Sequence, residues 1–590
     1  MQLPFQYHRN HTHFYFHGYF LNIFCSALVL AGLSACEKSG STTQKTHEPK
    51  LVSLTGSEIN GTKLATGIDL AGVITDAATG KGIPGVAVTD GYQYVKTDAN
   101  GVYQMKRNSM ARKVYYTIPA AYQVPLDNSD HLPMFFSPGT MSKGLAYRCD
   151  FVLNKLSAPE TDFTLIAIGD PQCQNISESS RFLGETIPDI KRTMSSGNYP
   201  AVYAITLGDV TFDSFYMFDP MVRCMRNIMV QDSYLPFFNC MGNHDHNSLV
   251  KAVGNQVQDD YNATEEYVKH FGPADYSFDR GNAHIIVMDN IAVTNITSSG
   301  SPNSFTWNYT NKLLPSQLEW LKQDIAMVEN PESKLVIFCA HQPIRGAAST
   351  TYSEVVNLLS KFNEVHFFIG HTHYQQNYIH EIGGKQIFEH IHGAACGGWW
   401  TANSSVTGAP NGYSVYNVRG NKIKDWFMKG TNREENYQMR IYDGNQEYGS
   451  EVTPNSPKIK VNWYSTTTVG KFKVIGNANF KNAFVAEVFD DDNQYWSLEF
   501  WQNGQKVGDF VRAAESGINN APICAFWYND KSRTTDTWCN RTASHYWYYK
   551  PASGKPAEEK NWEVRAVHKY PNGGSVTYKT SKLTTDYSEF

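Results

Sequence analysis

Five short stretches of this 590-residue chain carry side chains able to hold a hard or borderline cation, and each directly follows an apolar run. They are Gly169-Asp170-Pro171-Gln172, Gly208-Asp209, Gly242-Asn243-His244-Asp245, Ala340-His341-Gln342 and Gly370-His371-Thr372-His373. Any one of them carries little weight. Gly-Asp is nearly background, and His-Thr-His in a loop is more often a polar turn than a ligand pair. The bland interpretation of the whole set is a rim of polar surface loops. Five matches in order, all at the ends of apolar runs, argue against it.

The elements that must position these groups are legible as alternating patterns. Apolar runs of strand length at 163–169, 201–208, 235–241, 283–288, 334–340 and 365–370 alternate with amphipathic stretches at 219–232, 315–329 and 353–362. That alternation predicts a layered α/β domain, and strands apolar throughout predict a sheet covered on both faces. Pro315-Ser316-Gln317-Leu318-Glu319 supplies a helix start. In open α/β sheets ligands bind in the crevice beyond the carboxyl ends of the strands. Groups spread from residue 170 to residue 373 would therefore converge on one place.

The set resembles the calcineurin-like metallophosphoesterase superfamily, whose blocks are Asp-x-His, Gly-Asp, Gly-Asn-His-Asp/Glu, a His, and Gly-His-x-His. The resemblance covers roughly residues 162–420. It implies a central α/β four-layer sandwich of the exported bacterial type, flanked by N- and C-terminal accessory β domains. It also implies two cations, the first held by Asp170, Gln172, Asp209 and His373, the second by Asp209, Asn243, His341 and His371, with Asp209 shared. Mixed oxygen and imidazole ligands suit Mn, Fe, Co, Ni or Zn better than Ca. The implied reaction is hydrolysis of a phosphate ester by a water that two cations activate to hydroxide, monoesters favoured over diesters. His244 would protonate the departing alkoxide, and Asp245 would orient a neighbour. Two departures stand out. Position 172 is Gln where the common pattern has His, and the frequent acid three residues after Asp209 is Phe212 here, with Asp213 one further on; whether Asp213 orients His244 is left open. Arg345 is a candidate phosphate clamp, with a surface ion pair as the rival. Beyond His390 and His392, a Gly-rich loop leads to Trp399 and Trp400, which would wall the substrate pocket or simply pack.

The flanks read differently. Residues 20–33 are apolar but too short for a normal membrane span, and they end Leu33-Ser34-Ala35-Cys36, which resembles a bacterial lipoprotein processing site. The expectation is a signal peptide over 1–36 with lipid on Cys36, a polar linker over 37–65, an N-terminal β-sandwich of transthyretin- or Ig-like type over 66–157, the phosphoesterase domain over 158–420, and a C-terminal all-β domain over 421–590. Eight of the twelve tryptophans fall in 425–590; aromatics in β-sandwiches are usually core, though exposed ones would bind sugar. A formal net charge of -5 and scattered Lys and Arg argue against dedicated nucleic-acid binding. The expected partners are a phosphorylated small molecule or glycan as substrate and a membrane through the lipid, in the bacterial cell envelope. The competing functional class is a glycan-binding surface lipoprotein with a vestigial phosphoesterase scaffold. Cysteine spacing gives no pairing.

Overall fold

All six apolar runs fold as strands, and the alternation of side chains along them decides which face meets which layer. The computed structural model describes residues 50–585 except 53, 55, 295, 298–304, 307, 345–348, 406, 450–459, 470–471, 493 and 514–544. The expected signal, Cys36 and most of the linker lie outside the described residues, as do Arg345, Cys524, Cys539, Trp527 and Trp538.

In the central region β1 (Asp162–Ile168), β2 (Val202–Leu207) and β3 (Phe237–Cys240) pair in parallel, in the order β3-β2-β1. A second mixed sheet is built from β4 (Tyr276–Arg280), β5 (Ala283–Val287), β6 (Leu335–Ala340), β7 (Glu364–Ile369), β8 (Gln376–Ile382) and β9 (Lys385–Ile391), in the order β4-β5-β6-β7-β9-β8. The antiparallel hairpin of β10 (Gly412–Arg419) and β11 (Lys422–Gly430) completes the first sheet beside β1. The domain boundary expected at 420 falls in the turn of this hairpin.

Strand β1 sends Phe163, Leu165 and Ala167 into one apolar cluster and Ile166 and Ile168 into another. The part of the first cluster between the two sheets has Ile205 and Leu207 on one side and Ile337, Cys339 and Phe368 on the other, the Phe368 ring lying 4.1 Å from that of Tyr416 on β10. The second lies under α1 (Ile187–Ser196) and α2 (Phe218–Met225), through Ile187, Ile190, Met194, Met221 and Met225. Helices α3 (Pro315–Met327) and α4 (Ser349–Leu359) add Trp320, Leu321, Ile325, Val355 and Leu359 to the first cluster. This is the period-two alternation that strands impose, with both faces buried as continuous apolar strands require.

One expected helix is shorter than its pattern. The stretch 219–232 leaves the helix at Met225, and Met229–Val230 pairs with Ser233–Tyr234 as a small hairpin. Its loop residues Gln231 and Asp232 both take left-handed backbone (φ 51° and 64°), as the tight hairpin turn with matching twist demands.

The N-terminal module pairs Leu70–Asp76 with Val102–Met105, Tyr147–Arg148 and Phe151–Leu153, and sets Ala87–Thr89 between Tyr94–Lys96 and Tyr115–Tyr116 in a second sheet. Its Leu70, Ile74, Tyr103 and Tyr116 belong to the same apolar cluster as the central sheets. The Tyr94 hydroxyl donates to Asp324 on α3 (2.9 Å), and the Asp279 N–H of β4 donates to Ile118 O (2.9 Å). After β11 the described residues form two four-stranded antiparallel sheets around a separate core that includes Ile441, Val488, Leu498, Phe500 and Val564. Trp426, Trp463, Trp496, Trp547 and Trp562 are buried, and Trp501 lies under the Arg565 guanidinium. The first five are buried and Trp501 is half-buried with Arg565 over its ring, and among the described residues no row of exposed tryptophans offers a sugar platform. Cys149, Cys173, Cys224, Cys240, Cys339 and Cys396 are buried free thiols. No helix among the described residues is long and apolar enough to cross a membrane.

Candidate metal centre

The carboxyl ends of β1, β2 and β3 in one sheet and of β6 and β7 in the other meet at one edge of the stack. There the glycines of the motifs are required by contact. A Cβ at Gly242 would lie 2.1 Å from Asp209 N and 2.3 Å from Asp209 Oδ1; one at Gly208 would lie 2.5 Å from His341 Nδ1, and one at Gly370 2.9 Å from Asp170 Oδ2. Each glycine lets the next loop close onto its neighbour. Asp170, Gln172, Asp209, His371 and His373 all adopt left-handed backbone, with φ of 40°, 43°, 48°, 69° and 59°. Non-glycine residues pay about 1–3 kcal/mol each for such strained conformations, which cluster at functional sites. Cross-links hold them there: Gln172 N–H donates to Asp209 O (2.7 Å), His371 N–H to Asp170 Oδ2 (3.0 Å) and His244 N–H to Asp209 Oδ1 (2.8 Å).

Two triads result, Asp170, Asp209 and His373, and Asp209, His341 and His371. Each offers three ligand-type atoms within 4.8 Å of one another, so that each could hold a cation. Asp209 belongs to both. Gln172 Nε2 donates to Asp209 Oδ2 (3.2 Å), while its buried Oε1 has no hydrogen-bond partner. An orphaned buried acceptor is unfavourable unless something electropositive faces it, and this one stands beside the first triad. His341 Nε2 lies 3.1 Å from Asn243 Oδ1 and 3.2 Å from Asp209 Oδ2, while its Nδ1 donates to Leu207 O (2.8 Å). That backbone bond fixes the tautomer that leaves Nε2 as a lone pair for a cation. Seven predicted ligands are thus gathered in one place, and the donor set fits divalent cations of the borderline class.

The electrostatics agree with crowding of opposite charge. Burial would raise the Asp209 carboxyl, but the His341, His244 and His371 imidazoles hold it below the ordinary range. Burial and the neighbouring His341 push His371 well below the usual imidazole value, whereas burial is outweighed at His341 by Asp209, which lifts it to about 9. With 3.2 Å between His371 Nδ1 and His341 Nε2, one proton at most is held between the two rings.

His244 Nδ1 pairs with Asp213 Oδ1 (3.0 Å), and its ring stacks on Phe212 at 4.3 Å. Asp213 therefore does orient His244, in the place of the acid one residue earlier. Asp245 is fully buried and accepts from the backbone N–H groups of Thr211, Gly242 and Val210 at 2.9–3.1 Å. These bonds tie the second and third loops together, so that Asp245 acts on its neighbours in the site through their backbone. Trp399 is half-buried with its ring 5.3 Å from His373. Trp400 is not a pocket wall: it is 5% exposed, its indole N–H donates to Pro171 O (2.8 Å), and it packs edge-on to Phe182. His390 and His392 are buried beneath the site, His392 between Ile369 O and the Tyr416 hydroxyl.

Sequence reasoning missed the supports on the fourth strand end. Asp289 Oδ2 pairs with His246 Nε2 (2.9 Å), just beyond the Asn-His-Asp block. Asn290 brackets Gln342, accepting from its N–H (3.0 Å) and donating to its carbonyl (2.8 Å). The available signal was positional: Asp289-Asn290 directly follows an apolar run, as the other site residues do.

Family models match three consecutive stretches. Calcineurin-like phosphoesterase matches residues 163–375, the N terminal of calcineurin-like phosphoesterase matches residues 68–156, and the C terminal of calcineurin-like phosphoesterase matches residues 389–573. No curated protein matches the chain.

Proposed function

Because the chain belongs to the calcineurin-like phosphoesterase family, with that family's N- and C-terminal domains on either side of the phosphoesterase domain, we propose that it hydrolyses phosphate esters with two divalent cations that share Asp209, monoesters in preference to diesters. The observation that carries this reading is the membership of one carboxylate in two adjacent ligand triads. Asp170, Gln172, Asp209 and His373 would hold one cation, and Asp209, Asn243, His341 and His371 the other. When bound, the cations supply Lewis acidity toward the phosphoryl oxygens and a nucleophile drawn from water at neutral pH. The chain's own contribution begins with His244. Its Nδ1 is occupied by Asp213 and its backbone by Asp209, so Nε2 is the atom left to deliver a proton to the leaving alkoxide. Trp399 borders the first triad and would contact the group esterified to phosphate.

The stacked sheets with their outer helices support a four-layer α/β sandwich as the catalytic fold, with a transthyretin- or Ig-like module before it and an all-β module after it. We place the protein in the bacterial cell envelope, held to a membrane by lipid on Cys36; Cys36→Ala should release it from the membrane fraction, and retention would refute the anchor.

The test of the activity is purified protein with Mn²⁺ or Zn²⁺ on para-nitrophenyl phosphate and its bis-ester. Turnover of the monoester is expected to exceed that of the bis-ester. Asp209→Ala should abolish turnover and co-purified metal together. No turnover with any metal, or activity surviving Asp209→Ala, would defeat the assignment.

A further inference from the structure

The loop that carries His371 and His373 continues into Gln375 and Asn377, and both amides reach out of the central domain to one carboxylate of the C-terminal module. Gln375 Nε2 donates to Asp490 Oδ1 at 2.7 Å and Asn377 Nδ2 to the same oxygen at 2.8 Å. The Asn377 side chain also donates to Asp490 O (3.1 Å). Asp490, Gln375 and Asn377 are all buried.

Gln375 passes this restraint on. Its Oε1 accepts from Gly393 N–H (2.9 Å), and the segment after Gly393 lies along the loop of the first ligand. Ala395 N–H donates to Gly169 O (2.7 Å), and Cys396 N–H to Asp170 O (3.3 Å). A Cβ at Gly169 would meet Gly393 O at 2.9 Å, so the two strands of backbone are in contact. A continuous path of hydrogen bonds thus leads from Asp490 through Gln375 to the backbone on both sides of the pair formed by Asp170 and His373, which face each other at 3.4 Å. His341 and Asn243 hang on other strands and are not on this path.

We infer that Asp490 is a positioning residue for the first cation: from the C-terminal module it sets, through Gln375, the distance between Asp170 and His373. This rests on the two-cation reading above. Hydrogen-bond partners behind metal ligands govern affinity by about 10- to 100-fold when removed. The C-terminal module is then a working part of the centre, and loss of the Asp490 contact would loosen the first cation more than the second, of whose ligands His371 alone shares the loop.

The experiment is calorimetric titration of metal-free full-length protein with Mn²⁺, with thermal melting and para-nitrophenyl phosphate kinetics on the same samples. Wild type is expected to bind two equivalents. In Asp490→Ala one of the two should weaken about tenfold or more while the other stays within threefold; Asp490→Asn, which keeps an acceptor oxygen, should restore it. Gln375→Met removes the same contact from the other side and should reproduce the loss. Arg512→Gln is the control: Arg512 pairs with Asp491 (2.8 Å from Nη2 to Oδ1) on the neighbouring residue, so it should lower the melting temperature without changing either affinity. Unchanged affinities in folded Asp490→Ala or Gln375→Met, an equal loss in Arg512→Gln, or failure of both variants to fold would each overturn the positioning role. If wild type itself binds no cation, the two-cation reading falls instead.

Discussion

His244 is restrained at two points that do different things. Its backbone N–H anchors it to Asp209, and its ring is aimed by Asp213. Burial disfavours a charge on the ring, but Asp209 and Asp213 together raise its pKa above the ordinary imidazole value. Asp213→Ala should free the ring without touching a cation ligand. The expected result is a fall in kcat of about 100-fold, the low end of general acid–base contributions, with metal content unchanged; loss of metal in step with kcat would show that Asp213 supports the ligands instead. At this scale the sequence was most informative where a cation-binding side chain follows an apolar run, as at Asp170, Asp209 and His371. It left the role of Asp213 open, because that acid is displaced by one position from the familiar pattern, and it did not single out Asp289, which follows an apolar run but whose buried pairing with His246 has no signature in a single sequence. The choice between pocket wall and packing stayed open for Trp399 and Trp400 because two adjacent tryptophans look alike in sequence, while the fold leaves Trp399 half-buried and packs Trp400 into the core.

At the scale of elements, loops approach more closely than any side chain would allow. Gly242→Ala would drive a methyl group against Asp209 N and Oδ1, neither of which can yield without breaking the His244 N–H bond. It should reduce turnover at least as severely as Asp213→Ala, and co-purified metal should fall with it; a variant with normal metal content would refute the contact. Strand β5 carries a different device. His284 sits between Asp279 Oδ1 (2.7 Å) on β4 and Asp324 Oδ2 (2.9 Å) on α3. Burial opposes its charge, yet Asp324 and Asp279 lift its pKa from 6.5 to about 10. A raised imidazole contributes stability that is fully present below 6.5 and is lost as pH climbs through about 10. The melting temperature should therefore decline from neutral pH toward pH 10, and His284→Gln should start lower and decline less. Equal slopes would show that His284 is not the group responsible. The strands were readable from their apolar runs, whereas the 219–232 helix was overrun because a hairpin of Met229, Val230 and Tyr234 mimics one more amphipathic turn.

For the whole molecule, composition and pattern marked three regions but not how they join. The last hairpin of the first sheet, β10 and β11, comes after the helical pattern has ended, so its membership depends on pairing with β1 that no local signal reveals. The C-terminal module clasps this hairpin and the neighbouring β7: Asn572 donates to Ile423 O (2.8 Å) on β11 and to Glu364 Oε2 (2.9 Å) on β7, and Tyr570 OH donates to Trp426 O (3.1 Å) on β11. On the other flank there is no seam at all, since a single apolar cluster runs from Leu70 and Tyr116 through Phe135 and Tyr276 to the inter-sheet residues. Units that share a core cannot lose it separately. Scanning calorimetry should accordingly register the N-terminal module and the phosphoesterase domain as one cooperative endotherm, and a nicked fragment beginning at residue 158 should fail to persist, so that this module is inherited with its enzyme and not as an exchangeable cassette.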